Sequence, residues 1–270
     1  MITLGDVTKA ISGSHPIWAN QIISEVVIDS RQAIRGSLFI ALPGEHVDGH
    51  DFVHDAFERG ASLALVNRDF RERFTVLDLR NNQAPDVTAA PDFPCCVWVD
   101  DCLVALQQIA HFWRRQFQPK VIGITGSVGK TTTKEIVTEV LRQRYRTLKN
   151  TGNLNNEIGL PLTLLSLNES YDRAVLEMGF YVPGEINLLC DLAMPQIGVI
   201  TNIGTVHAER AGSQEAIAQG KAELVEALPP DPDGVAILNY DDPRVRAMAS
   251  LTKARIFFYG LSPEADLWAD

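Results

Sequence analysis

The chain has 270 residues, 46% of them hydrophobic, and 24 Lys and Arg against 34 Asp and Glu give a formal net charge of −10. That length and apolar content suit two ordinary domains, and the acidic balance argues against a nucleic-acid or anionic-membrane surface, which needs clustered Lys and Arg. Four cysteines without a C-x-x-C frame neither a zinc site nor a disulfide scaffold. With no run of 18 apolar residues and no signal-peptide pattern in "MITLGDVTKAISG", a cytoplasmic protein without membrane insertion is expected.

In chain order, "SEVVID" (24–29), "SLFIAL" (37–42), "SLALV" (62–66) and "CVWVD" (96–100) predict short strands. Between them "DGHDFVHDAFERGA" predicts a helix with Phe52, Val53, Ala56 and Phe57 on one face and Gly60 as its stop. The stretch 81–94, "NNQAPDVTAAPDFP", predicts a surface loop. Residues 1–100 thus form a small α/β domain. Apolar spacing at Leu103, Leu106, Ala110, Trp113 and Phe117 predicts a linker helix over 101–119, closed by Pro119.

From residue 120 the pattern changes to strand, glycine turn and helix, repeated. "KVIGIT", "AVLEMG" (174–179), "QIGVITNIG" (196–204), "GVAILN" (234–239) and "ARIFFYG" (254–260) are apolar runs of the kind found in a parallel sheet buried on both faces. "LSPEADLWAD" follows a strand without a closing helix, so the domain over 120–270 is expected to be incomplete at its C-terminal end. The predicted fold class is α/β: a small N-terminal substrate domain followed by a P-loop, parallel-sheet ATP-binding domain.

Gly123–Thr131 approximates G-x-x-x-x-G-K-[ST], with five residues rather than four between Gly123 and Gly129, and lies between an apolar strand and a helix whose Ile136, Val137, Val140 and Leu141 are expected to share one face. In such a loop the backbone of Gly126, Ser127, Val128 and Gly129 curls around phosphate. Lys130 reaches the β/γ phosphates, Thr131 can meet Mg²⁺, and Thr132 completes the cradle at the helix start. A kinase, a switch, a pump or a ligase can all use this device.

Glu177 ends the next apolar strand, as a second magnesium ligand would, although a solvated strand end is the alternative. His207 lies just past another strand end. Asn239 in "LNYDD" can face an adenine edge or close an Asx turn. No N-K-x-D segment follows, which favours ATP over GTP.

Further motifs accompany the loop: "DSRQAIRGSLFIALPGEHVDGHDF" (29–52), "TGSVGKTTTKE" (125–135), "NTGNLNNEIGLPLTLL" (150–165), "EMG" (177–179), "ITNIGTVHAERAGSQEAIAQGKAEL" (200–224) and "NYDD" (239–242). Together they resemble the Mur ligases of peptidoglycan synthesis, most of all those that add D-alanyl-D-alanine to UDP-N-acetylmuramoyl-tripeptide. "TTKE" and "NLNNEIG" favour that group over the sibling ligases that add the third amino acid. The resemblance implies an ATP-dependent ligase acting as a cytoplasmic monomer, with two magnesium ions and a further C-terminal domain in the family pattern.

Carried over by position, it implies UDP contacts at Ser30, Arg31 and His50 and phosphate contact at Lys130. One magnesium would lie on Thr131 and Glu177, and a second near His207. Asn153 and Asn156 would approach the γ-phosphate or substrate. Lys221 would be a carbamylated metal ligand; read from the sequence alone, it is a surface helix lysine. The γ-phosphoryl group would pass to a peptide carboxylate, and the resulting acyl phosphate would be attacked by the amine of D-Ala-D-Ala. A non-catalytic nucleotide- or UDP-sugar-binding module is the remaining alternative.

Overall fold

A computed structural model describes residues 1–44, 47–86, 89–204 and 213–269. The chain divides into two compact units, Met1–Gln116 with Leu164–Ser166, and Phe117–Thr163 with Leu167–Asp270.

The first unit opens on a helix the sequence reading left out, α1 (Leu4–Ser12). Thr3 and Asp6 form a reciprocal capping box, and Gly13 ends the helix at φ 73°, the left-handed conformation glycine adopts most cheaply. Strands β1 (Val26–Val27), β2 (Leu38–Ile40), β3 (Leu63–Val66), β4 (Thr75–Asp78) and β5 (Cys95–Trp98) pair in the order β1-β2-β3-β5-β4, all parallel.

The expected helix after "DGH" begins as a 3₁₀ turn, Gly49–Phe52, and continues as α2 (Val53–Glu58). Val53 and Ala56 are buried, whereas Phe52 is exposed. They join Phe39, Val66, Cys96 and Trp98 in one core. The expected linker helix is α3 (Cys102–Arg114), which packs on α1 inside the first unit rather than standing between units. Asp101 caps it through Leu103 N and Val104 N.

The second unit contains β6 (Lys120–Thr125), α4 (Lys130–Arg142), β7 (Thr147–Lys149), all but the last two residues of α5 (Gly159–Leu165), β8 (Arg173–Glu177), α6 (Glu185–Ala193), β9 (Ile197–Ile200), α7 (Gln214–Glu226), β10 (Val235–Asn239), α8 (Pro243–Ala247), β11 (Arg255–Gly260) and β12 (Leu267–Trp268). Its sheet runs β12-β11-β10-β9-β6-β8-β7, again all parallel. The chain leaves β6 toward β7, returns to β8, and then crosses to β9 on the other side. That reversal makes the carboxyl end of β6 a switch point, where parallel sheets hold their ligands.

The face of α4 differs from expectation. Lys134 and Thr138 are buried, and Val137 and Leu141 pack on Ile122, Ile124, Val175 and Val199, but Ile136 and Val140 face solvent. Residues at i, i+3, i+4 and i+7 from Lys134 make the docked stripe, so a lysine, not an isoleucine, leads it. Among the described residues no helix is long and apolar enough to cross a membrane.

Candidate nucleotide and magnesium site

Gly126 and Gly129 adopt φ 148° and 88°, conformations that let the chain turn from β6 into α4. A Cβ on Gly126 would stand 1.9 Å from Thr201 Oγ1, so this position also needs glycine for space. The strand-end residues after β9 hold the back of the loop. Ser127 N donates to Asn202 O at 2.9 Å, Val128 N to Asn202 Oδ1 at 3.0 Å, and Thr201 Oγ1 to Val128 O at 2.7 Å. Gly204 N donates to Ser127 Oγ at 2.8 Å.

Among the described residues no side chain caps the N-terminus of α4. Its first amides and the positive end of its dipole therefore suit an anionic ligand. Lys130 Nζ donates to Gly126 O at 2.9 Å and Ser127 O at 3.3 Å. Burial pushes this ammonium below its ordinary range against the pull of Glu177. Thr132 is exposed on the first turn.

Thr131 Oγ1 donates to Glu177 Oε2 at 2.8 Å, which joins two of the expected magnesium ligands between the first turn of α4 and the end of β8. Glu177 is 3% exposed, not a solvated strand end. Asn155 Nδ2 donates to its Oε1 at 2.8 Å, and Asn150 brackets its backbone, accepting from Glu177 N and donating to Glu177 O. A hydroxyl and a carboxylate oxygen are the hard donors magnesium takes, and phosphate and water commonly complete its shell. Among the described residues no cluster of three or more His, Cys, Asp or Glu forms a fuller cage.

Lys221 on α7 is 2% exposed, which corrects the surface-lysine reading. It shares the buried side of the helix with Ile217, Leu224 and Val225, and its Nζ stands 4.8 Å from the centre of the Phe180 ring. Burial, with a smaller contribution from Lys130, pushes its pKa down to about 7. A buried amine that is about half neutral near pH 7 has a free lone pair for CO₂ uptake.

His207 lies outside the described residues. Asn153 is exposed in its loop, and Asn156 Oδ1 accepts from Gly159 N at 2.9 Å at the start of α5. The asparagine of this segment that meets Glu177 is Asn155. Asn239 Oδ1 accepts from Asp241 N at 3.0 Å, an Asx turn, while its Nδ2 donates to Thr201 O at 2.9 Å.

In the first unit, Ser30 is buried, and Arg31 is exposed in an ion pair of 2.7 Å with Asp29. His50 is buried, its Nδ1 2.6 Å from Asp48 Oδ1 and its Nε2 accepting from Asn67 N at 3.1 Å. Both ring nitrogens are thus engaged within the chain. The four cysteines are buried, and burial pushes Cys95 up to about 11 and Cys96 and Cys102 up to about 12, as unreactive thiols require.

The sequence reading assigned no role to Lys134, Asn150, Asn155, Thr201 or Asn202. Lys134 follows Lys130 by one helical turn, which was the available signal; the others act through a loop and a strand end that only the fold brings to β6.

The Mur ligase middle domain matches residues 124–270, and the Mur ligase family catalytic domain matches residues 22–113. The UDP-N-acetylmuramoyl-tripeptide--D-alanyl-D-alanine ligase of Bacillus subtilis is 41% identical over 243 residues, covering 89% of this chain and 49% of that protein. A MurF crystal structure from Acinetobacter baumannii superposes with a TM-score of 0.80 at 32% identity, covering 98% of this chain and 53% of the other. MurF ligase from Thermotoga maritima, in complex with ADP, gives 0.72 at 30% identity, covering 88% of this chain and 50% of the other. The chain spans about half the length of the curated relatives it matches.

Proposed function

The chain belongs to the Mur ligase family, and from that premise we propose that it serves an ATP-dependent ligase adding D-Ala-D-Ala to UDP-N-acetylmuramoyl-tripeptide. The observation that carries this reading is the 2.8 Å contact of Thr131 with Glu177 at the head of the lysine-bearing loop. It supports phosphoryl handling, and the 41% identity to a D-Ala-D-Ala ligase supports the choice of substrates.

A carboxylate does not condense with an amine unaided, because its oxygen is a poor leaving group. In the proposed reaction the peptide carboxylate oxygen displaces ADP from the γ-phosphorus, giving an acyl phosphate. The amine then adds to the carbonyl carbon, inorganic phosphate leaves with the C–O bonding pair, and the amine loses a proton to solvent or a nearby base. Lys130 neutralises charge on the phosphates, and the α4 amides orient them. Thr131 and Glu177 would hold a magnesium ion, which supplies further charge neutralisation when bound. A carbamate on Lys221 and a second ion near His207 extend the same reading.

In the first unit, Ser30 and Arg31 would meet the UDP end of the substrate, with His50 bracing the segment from within. The reading carries with it a cytoplasmic monomer acting on a nucleotide-sugar peptide, with no nucleic-acid partner. Its test is mass spectrometry of the product made from UDP-N-acetylmuramoyl-tripeptide, ATP and D-Ala-D-Ala by the full-length protein that carries this chain. Product heavier by the dipeptide less water, with phosphate release requiring both acceptor and donor, is expected. Rapid ATP hydrolysis without either substrate would refute it.

A further inference from the structure

Lys134 sits one turn beyond Lys130 on α4, and the reaction described above gives it no task. Its side chain is 1% exposed, and its Nζ stands 3.6 Å from Glu177 Oε2 and 3.6 Å from Glu135 Oε1. Glu135, whose side chain is 43% exposed, pairs through Oε2 with Lys149 at the end of β7. Lys149, Glu135, Lys134 and Glu177 therefore alternate in sign between the end of β7 and the buried end of β8. A buried ammonium and a buried carboxylate are each costly to desolvate, and such groups persist as partners. Here one ammonium is shared equally between two carboxylates.

We propose that Lys134 is a positioning residue, a resident counter-ion that holds Glu177 ready for magnesium and yields to the ion by moving toward Glu135. The proposal rests on reading Thr131 and Glu177 as magnesium ligands. The oxygen that Thr131 faces, Oε2, is the one that Lys134 faces. An ion held by Thr131 and Glu177 and the ammonium therefore compete for one atom, and two cations drawn to one carboxylate weaken each other's hold. Asn155 fixes the other oxygen, Oε1, so the carboxylate keeps its orientation while its counter-ion changes. Glu135 supplies the second seat for the lysine; without it, the ammonium would oppose the metal at close range.

The test is calorimetric titration of MgCl₂ into the chain with a non-hydrolysable ATP analogue, with thermal melts in the same buffers. Lys134→Met is expected to tighten the Mg²⁺ requirement by about three- to tenfold and to enlarge the rise in melting temperature that Mg²⁺ produces. Glu135→Gln is expected to weaken Mg²⁺ by a similar factor, because Lys134 then stays on Glu177. Glu139→Gln, one turn further along α4 with a 60% exposed side chain, should move the affinity by less than about twofold.

A mere packing role would lower the melting temperature equally with and without Mg²⁺ and leave the affinity unchanged, which overturns the proposal. Shifts of the same sign in the Met and Gln variants also overturn it. If Lys134→Met does not fold, Glu135→Gln decides alone: unchanged or tighter Mg²⁺ binding sinks the idea. Failure of the underlying site reading is distinguishable, since the parent chain would then show no Mg²⁺-dependent nucleotide binding that Lys130→Ala removes.

Discussion

Thr131 Oγ1 and Glu177 Oε2 meet at 2.8 Å although 46 residues separate them in the chain. The parallel pairing of β6 with β8 sets Ile124 opposite Glu177, and α4 then starts one loop beyond β6. Thr131→Val keeps the branched shape and removes only the hydroxyl. It should leave nucleotide binding in EDTA unchanged while cutting the gain from Mg²⁺ by about tenfold, as loss of one hard ligand implies. Equal Mg²⁺ dependence in the variant would remove Thr131 from the metal's shell.

Lys130→Ala should weaken ATP binding by about a hundredfold without unfolding the chain. Among the described residues its ammonium donates to carbonyls of its own loop, Gly126 O and Ser127 O, so little native structure depends on it. Calorimetry with ATP, beside circular dichroism of the same samples, checks both halves of this expectation. Retained affinity would overturn the loop assignment.

For Lys221 the pH dependence has a definite sign. Its folded pKa, about 7, lies below the ordinary 10.5, so between those values the unfolded state binds more protons. Stability must then rise with pH across that window, by about 1.4 kcal/mol per unit for this group, and the contribution is flat below pH 7 and above 10.5. Urea unfolding of the parent and of Lys221→Met, in bicarbonate-free buffers from pH 7 to 10, isolates the slope by difference; parallel curves would refute it. In the full-length protein, activity lost on Lys221→Ala should return in part with added short-chain carboxylates.

Much of the scaffold was legible in the sequence because buried parallel strands carry continuous apolar runs. The strands that went unread, β4, β7 and β12, are edge strands of two to four residues, where one flank meets solvent and the pattern thins. Helix α1 was also missed, although Thr3, Asp6 and Gly13 spell its start and stop. In the site, the loop and Glu177 were readable as motif and strand end. Lys221 was not, since a lysine gives no local sign that tertiary packing will bury it, and the docked face of α4 was misjudged because Lys134 occupies a position that hydropathy assigns to solvent.

Gly220 adjoins Lys221 and receives the Phe180 ring. A Cβ there would lie 2.0 Å from Phe180 Cε2. Gly220→Ala should destabilise the chain by about 1–3 kcal/mol, and pairing it with Phe180→Leu should recover part of the loss. Thermal or urea unfolding of the single and double variants reads the coupling; strict additivity would show that the ring moves aside freely.

His50→Ala should lower stability by about 2–3 kcal/mol with no ligand added, since Asp48 and Asn67 N each lose a buried partner. Amide exchange in the first unit is the measurement of choice, because it localises the loss. Wild-type protection in the variant would return His50 to the role of a free substrate contact.

Thr201 touches the loop from behind, close enough that residue 126 has room for hydrogen alone. The two positions are therefore coupled in space, and a smaller residue at 201 would still leave 126 to glycine, because its φ of 148° disfavours any side chain. A small molecule that pried Thr201 from Val128 O would loosen the back of the loop without imitating a nucleotide.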